Sequence, residues 1–580
     1  MWIKTILKHL LVLTLMVGCS SPALVAKDRE PKNGWKAFQE NRYDVALQEA
    51  QAVLSSKPGN RDAHWLAAEA TLAAGDTTRS WEHWQAVLAD QPEHPRAVLN
   101  ATDILIERGD LDQAQTILDR ALSEAKKPDL PEYLYSQGVL LAAQGNDSEA
   151  MVRLSQAVDK NPKQPLFYIA LGRVYRGKNV NVLAKDNFQK AIELDPNVAS
   201  WHFDLADIHM DLKEYNEALE QYKITRDLDS NYPNVYYQIG KLYFYGQKYQ
   251  QAVDDMEQAL ANGKEPNFFF HTIYGQALRA VRRLEDAQKQ LESAYQLRPD
   301  DVETARLLAQ NSLDLRQYDR AINALQGIIA SDQVESADYS RLGEAYYNLA
   351  STEAAANAYY DSATVYLKQG LEQEPENQRL LYLTGMAYFN ADQYDSALVY
   401  LNDLVKVDST NFQAYYRLGY SYLKKDQNRE AIRSLRQALE VDPSSLPARL
   451  MLAHTLSFVD STRAAKQEFR TILDQDPTNG DAWGALGFIY LKEASNLPDK
   501  TPREEKKAAW NRVADQLRKA TQYSSKNAAY WVGLGHALYS AYELDEAEAA
   551  AKRALALDPN NKDAQNILET INKVRSRIRQ

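Results

Sequence analysis

A 34-residue period restricts the fold of this chain more than any other feature. Residues 412–445 read FQAYYRLGYSYLKKDQNREAIRSLRQALEVDPSS, and residues 528–561 read AAYWVGLGHALYSAYELDEAEAAAKRALALDPNN. Numbered from 1 to 34, both carry an aromatic at place 4 (Tyr415, Trp531) and Leu-Gly at places 7 and 8 (Leu418-Gly419, Leu534-Gly535). Alanine recurs at places 20 and 27 (Ala431 and Ala438, Ala547 and Ala554), and proline at place 32 (Pro443, Pro559). The register runs on in both directions. Place 32 holds Pro58, Pro92, Pro162, Pro196, Pro299, Pro375 and Pro477, and place 8 holds Gly138, Gly172, Gly240, Gly275, Gly343, Gly385 and Gly487. Four units depart from proline at place 32, with Ser230, Lys264, Gln333 and Ser409. About 15 units fit between residues 27 and 561. A chain built this way stacks one small motif on the next, because a single copy cannot bury its own apolar face.

Within a unit the apolar residues fall at helical spacing in two runs, which predicts two antiparallel helices. Small residues at places 8, 20 and 27 let the helices approach, and large ones at 4, 11 and 24, such as Tyr168, Tyr175 and Phe188, fill the space between. Proline at 32 cannot continue the second helix. The pattern resembles the tetratricopeptide repeat (TPR) family over nearly all of the mature length. The resemblance implies an all-α, right-handed superhelical solenoid of about 15 helix-turn-helix repeats spanning 34–561, cooperative as one body. Residues 562–580 (KDAQNILETINKVRSRIRQ) read as a capping helix, with Ala564, Ile567, Leu568 and Ile571 toward the stack and a basic end at Arg575, Arg577 and Arg579. Two units are longer, with inserts near 348–362 and 492–512 between their first and second helices. Such inserts project from one edge of a solenoid or lengthen the helix pair.

Cys19 is the one cysteine in 580 residues, which excludes internal disulfides and multi-cysteine zinc sites. It follows a basic n-region (Lys4, Lys8) and an apolar run, Leu10 to Val17, too short to cross a membrane. Met16-Val17-Gly18-Cys19 resembles the bacterial lipobox. That implies a signal peptide over 1–18 and a lipidated Cys19 as the mature N-terminus. Residues 19–33 are then the lipidated end and tether. Ser20 after the cysteine, with no aspartate there, implies the outer membrane; the periplasmic side is the expectation, with the outer surface left open. The same residues also fit an ordinary secretory signal cut nearby, for instance after Ala26.

The net charge of −12 provides no basic face for nucleic acid, so no nucleic-acid partner is expected. No phosphate loop, GxSxG, HExxH or paired-cysteine motif occurs, so no enzyme activity, cofactor or metal is expected. His64, His202 and His271 fall at place 4 and His209 at place 11, positions of the packed interior. His202 and His209 are two turns apart on one face but lack a third ligand at metal-site spacing. His454 and His536 fall at place 9.

The family resemblance places residues 2, 5, 9, 12 and 13 of each unit on a concave groove. Those places are unusually aromatic here: Tyr237, Phe244 and Tyr245, then Tyr347, then Tyr382 and Phe389, then Tyr416 and Tyr420. Lys241, Arg173, Arg176, Arg279, Asp207 and Asp211 are interspersed. Tyrosine offers contact area with little entropy loss and a polar tip, which suits recognition. Tyr237, Lys241, Phe244, Tyr245, Tyr347, Tyr382, Phe389, Tyr416 and Tyr420 are therefore the candidate partner-binding residues. The lysine and asparagine set with which co-chaperone repeats hold a C-terminal carboxylate is missing from places 5 and 9. The sequence reads as a membrane-anchored scaffold holding envelope proteins in assembly or export. The alternative is a polysaccharide-export component with a secreted glycan in the groove.

Overall fold

The computed structural model describes residues 30–351 and 356–579. The leader 1–18, Cys19 and the tether up to residue 29 lie outside the described residues. Among the described residues there are 31 α-helices and no strand. Contacts divide the chain into two compact units, one ending at Leu297 and one beginning at Arg298. The first holds eight helix pairs, from Lys32–Gln39 with Tyr43–Ser56 to Phe268–Ala280 with Leu284–Leu297. The second holds seven pairs, from Val302–Asp314 with Tyr318–Ile329 to Ala528–Ser540 with Leu544–Leu557, and then the single helix Lys562–Arg579. The expected all-α helix pairs, about 15 in number, and the final helix are present.

The turn between pairs follows from four residues. In Asp476-Pro477-Thr478-Asn479, the Asp476 carboxylate accepts from the Thr478 amide at 3.0 Å, which closes the turn. Asn479 caps the next helix, accepting from the Ala482 amide at 3.0 Å. Pro477 ends the preceding helix, and its carbonyl accepts from Trp483 Nε1 at 2.9 Å. Trp483 is at place 4, and the same bond recurs there: Arg449 to the Pro443 carbonyl at 2.7 Å, His202 to Pro196 at 2.9 Å, and Tyr168 to Pro162 at 3.3 Å. In these units place 4 uses a long side chain with a donor at its tip, which aromaticity alone does not express, whereas Val98, Leu134, Ala305 and Leu381 fill the same place without one.

Units without proline at place 32 add a bond to this turn or keep its aspartate–threonine closure. Asn262 Nδ2 donates to the Ser230 carbonyl at 2.9 Å, and Thr410 closes the turn at Ser409 by donating its amide and hydroxyl to Asp408 at 3.0 and 2.7 Å. At Gln333 the device is ionic. Arg306 donates to the Gln333 carbonyl at 2.7 Å and to both oxygens of Asp338, Nη2 to Oδ2 at 2.8 Å and Nε to Oδ1 at 3.1 Å. The Asp338 side chain is wholly buried. It also accepts from the Glu335 amide at 3.0 Å in a capping box and pairs with Arg341 at 3.2 Å.

Within a pair, the chain reverses through one left-handed residue at place 15. It is glycine at Gly75, Gly109 and Gly145, but Asn179, Lys213, Gln247, Arg282, Arg316, Asp392, Asp426, Asp460 and Tyr542 also adopt it, with φ from 57 to 69°. A Cβ in that region costs about 1 kcal/mol, which glycine avoids. Lys213 is exposed at φ 63°. Lys213→Gly is therefore expected to stabilise the protein by roughly 0.5–1 kcal/mol, read as a higher urea midpoint at unchanged slope.

Inside the pairs, Ala46, Ala114, Ala150, Ala184, Ala218, Ala252 and Ala287 at place 20 are fully buried. Place 8 faces the large residue at place 24. A Cβ on Gly172 would lie 2.8 Å from Cδ2 of Phe188, and one on Gly343 2.5 Å from Cγ of Leu367. Glycine is needed there for space. The two inserts lengthen their pairs. Ser336–Ala350 faces Ala356–Gln373, and Gly480–Ser495 faces Arg503–Tyr523, the longest helix described at 21 residues. The first insert contributes Tyr359 and Tyr360, whose rings pack on Tyr346 and Tyr347 at 6.4 and 5.6 Å. The final helix buries Ala564, Ile567 and Ile571 and half-buries Leu568, and Arg575 pairs back with Asp545 and Glu548.

Candidate functional site

In the unit ending at Leu297, the candidate residues Tyr237, Lys241, Phe244 and Tyr245 share the helix Val235–Tyr245. Tyr237 is half-buried, its ring 5.6 Å from Phe270 and under the ammonium groups of Lys264 at 5.3 Å and Lys241 at 5.9 Å. Burial holds the Lys241 ammonium below the usual lysine range, opposed by the charge of Asp207. Phe244 packs between Tyr245 at 5.5 Å and Tyr249 at 5.9 Å. Tyr245 is 66% exposed.

Beside these rings runs a row of charged side chains on successive first helices. Arg173 pairs with Asp204 at 2.9 Å, and Arg176 with Asp207 at 3.1 Å and Asp211 at 3.5 Å. Tyr222 donates its phenol to Asp207, whose carboxyl burial pushes up while Arg176 holds it down. Two further members of the row escaped the reading from aromatics. Glu69 is buried and accepts from Arg96 at 2.8 Å and from Trp65 Nε1 at 3.3 Å. Asp103 is buried and accepts from the Tyr135 phenol at 3.1 and 3.2 Å. The available signal was place 9, which is Glu69, Asp103, Arg173, Asp207 and Lys241 in their units.

Desolvation raises the Asp103 carboxyl to about 7, against the bond from Tyr135 and the charges of Arg96 and Arg173. The free carboxyl titrates near 4. Between those values the unfolded chain loses a proton that the folded chain keeps. Stability therefore falls as pH rises from about 4 to about 7 and levels off above. Asp103→Asn is expected to flatten that decline, adding on the order of 2 kcal/mol at pH 8 and nothing at pH 4. Denaturant melts across that range check it, and an unchanged slope against pH would count against the buried carboxyl as its source.

In the unit beginning at Arg298, the candidates Tyr347, Tyr382, Phe389, Tyr416 and Tyr420 converge with their neighbours. Phe389 is only 9% exposed, with Tyr420 at 5.2 Å and Tyr394 at 5.8 Å. Tyr347, Tyr382, Tyr416 and Tyr420 are half-buried. Asn390 Nδ2 donates to the phenol oxygens of Tyr347 at 3.2 Å and Tyr360 at 3.4 Å. Burial raises the Tyr347 phenol above its ordinary range. Tyr416 stacks on Phe412 at 5.9 Å, nearly parallel. The Arg417 guanidinium lies 4.9 Å from the Phe389 ring and 5.6 Å from that of Tyr416. Arg417 was not among the residues chosen from the sequence. Place 6 lies outside the groove set that the family resemblance implies, and only the fold brings it over rings from two helices.

Models of the tetratricopeptide repeat match residues 32–95, 72–140, 206–246, 233–261 and 512–562, and the model for the tetratricopeptide repeat protein 21 C-terminal ARM domain matches 267–449. The chain carries tetratricopeptide repeats. Tetratricopeptide repeat protein 37 of Xenopus laevis is 24% identical over 211 residues, 34% of this chain and 14% of that protein. The protein O-mannosyl-transferase TMTC3 of Homo sapiens is 33% identical over 99 residues, 17% of this chain and 11% of that protein. This chain thus spans a small fraction of the relatives it matches. Among solved structures, Pseudomonas Aeruginosa pilF aligns with 38% of this chain and 98% of its own, at 16% identity and a TM-score of 0.34. Naa15/Naa10 bound to HypK-THB aligns with 94% of this chain and 96% of its own, at 13% identity and the same TM-score.

The tetratricopeptide register also accounts for the histidines. His64 and His202 at place 4 bond to the carbonyls of Pro58 and Pro196 at 2.8 and 2.9 Å. His271 meets Gln290 at 2.8 Å, and buried His209 meets Glu214 at 2.6 Å. His454 and His536 at place 9 lie against Phe469 and Trp510, both at 5.2 Å, and burial pushes both imidazoles below their ordinary range. Among the described residues no three histidine, cysteine or carboxylate side chains are grouped as metal ligands would be.

Proposed function

We propose that this protein is a lipid-anchored scaffold of a bacterial envelope, whose stacked first helices hold protein partners during assembly or export. One observation carries the reading. The first helices keep rings and charges at their surface beyond those the packing uses, among them Tyr245 and the Arg417 cluster. Within each unit, stacked repeats set such residues side by side. The aromatic and charged side chains at that face bind rather than react, and catalysis has no part in this reading. No described helix is long and apolar enough to cross a membrane. In this reading attachment is by Cys19, in the outer membrane with the repeats in the periplasm, and its support is the lipobox-like Met16-Val17-Gly18-Cys19. Several acyl chains on one cysteine hold a protein firmly, whereas one holds it marginally.

The test is cross-linking and pull-down of the native lipidated protein from envelope membranes. Specific protein partners are expected, and recovery of none would sink the scaffold reading. Cys19→Ser is expected to move the protein from the membrane to the soluble fraction with its thermal melt unchanged. Fractionation checks this, and a variant that stays membrane-bound would remove the anchor from the proposal.

A further inference from the structure

We infer that Arg417 and Lys424, with the rings around them, bind an internal peptide segment that carries carboxylate side chains beside apolar ones. The inference rests on the scaffold reading and specifies what one part of its surface recognises.

Four observations converge. First, the arginines of the first helices are normally paired: Arg96 with Glu69, Arg173 with Asp204, Arg176 with Asp207, Arg306 and Arg341 with Asp338, Arg379 with Glu344, and Arg449 with Glu468. Arg417 has no carboxylate partner among the described residues, in a chain with 79 acidic and 67 basic side chains. Second, its Nε is shielded from solvent and meets no hydrogen-bond acceptor there. A buried donor left without a partner is costly and calls for an explanation. Third, the guanidinium is held by the faces of Phe389 and Tyr416 at 4.9 and 5.6 Å. An arginine laid on rings keeps its charge and its planar edge of N–H groups, already desolvated and oriented.

Fourth, Lys424 stands two helical turns further on the same helix, Phe412–Lys424, and repeats the arrangement. Its ammonium lies 5.4 Å from the Tyr420 ring and has no carboxylate partner among the described residues. The neighbouring acids are engaged elsewhere: Asp392 accepts from the Tyr394 phenol, and Asp395 pairs with Lys425 at 2.8 Å. Two cations with no counter-ion among the described residues, seven residues apart and set on Phe389, Tyr416 and Tyr420, complement an anion flanked by apolar groups. Charge-assisted bonds to a prealigned guanidinium are the strong ones. Places 5 and 9 here are Tyr382, Met386, Tyr416 and Tyr420. Without lysine or asparagine at those places, the site reads acidic side chains along a segment rather than a chain terminus.

The full chain in detergent is titrated, by fluorescence anisotropy, with labelled random copolymers of glutamate and tyrosine. Poly-glutamate, a lysine–tyrosine copolymer and polygalacturonate serve as comparison probes. The glutamate–tyrosine copolymer is expected to bind best, and less tightly as salt rises. Arg417→Gln is expected to weaken it about tenfold, Arg417→Lys less, and Lys424→Gln about threefold, while Lys526→Gln, at an exposed turn, leaves it unchanged. Thermal melts matching the wild type show that the variants fold. Should Arg417→Gln lower the melt, Arg417→Lys and Lys424→Gln carry the test, because both retain a polar side chain. Equal binding by wild type and all three cation variants would overturn the inference. So would poly-glutamate binding as well as the mixed copolymer, polygalacturonate binding more tightly than any peptide, or no peptide binding at all. The scaffold reading is judged apart: partners recovered equally by wild type and Arg417→Gln in the envelope pull-down would leave it standing while this site fell.

Discussion

Arg306→Met should unfold its part of the stack about 2–3 kcal/mol more easily than the wild type, because it takes the closer of two arginine partners from the buried Asp338 carboxylate and leaves Arg341 at 3.2 Å. Arg306 meets both Asp338 oxygens and the Gln333 carbonyl, so the substitution strips acceptors on both sides of one inter-pair turn. Removing both ions should be milder than removing one. The double variant Arg306→Met with Asp338→Leu escapes the under-compensated buried charge and is expected to recover a large part of the loss. It still forfeits the capping box at Glu335, worth about 1 kcal/mol. The measurement is a double-mutant cycle by denaturant titration, with hydrogen exchange of amides 302–373 to localise the effect. Additive losses would mean that the ion pair is not what holds this turn.

Phe188→Ala is expected to cost about 3–5 kcal/mol, since the ring is fully buried and its removal leaves a cavity. The sharper result is at its neighbour. In the wild type, a Cβ on Gly172 would lie 2.8 Å from the Phe188 ring and 3.3 Å from the Ala184 carbonyl, so Gly172→Ala should destabilise by roughly 1–3 kcal/mol. In the Phe188→Ala background the ring is gone, and the same substitution should stabilise by up to about 1 kcal/mol through helix propensity. The sign of one mutation then depends on the other. Four urea melts decide it, and a destabilising Gly172→Ala in both backgrounds would show that the Ala184 carbonyl, not the ring, sets the limit.

These two sites also show how far residues alone carry the structure. Phe188 and Gly172 were legible because their partners recur at a fixed offset within one unit. The periodicity pairs place 8 with place 24 wherever it is read. The Arg306 clasp was not legible, although Gln333 was visible as a departure from proline. Its partners come from two units, and charged residues occur at helical spacing on every solvated face. The candidate site divides the same way. Tyr245 was found from its register place and is exposed, while Phe389 was found by the same rule and is almost wholly buried. A register place names the direction of a side chain but not the size of its neighbours. Arg417 and Asp103 needed the packed structure, since what distinguishes them is the absence of an opposing charge and the exclusion of water.

Hydrogen bonds across several inter-pair turns join a repeat to the one before it. Trp483 reaches back six residues to Pro477, and Arg173 reaches forward to Asp204 in the next unit. Such local ties mean that a whole unit could be duplicated or deleted with its seams rejoining like to like. The length of the recognition surface is therefore a quantity that evolution can change in discrete steps, without redesigning the core.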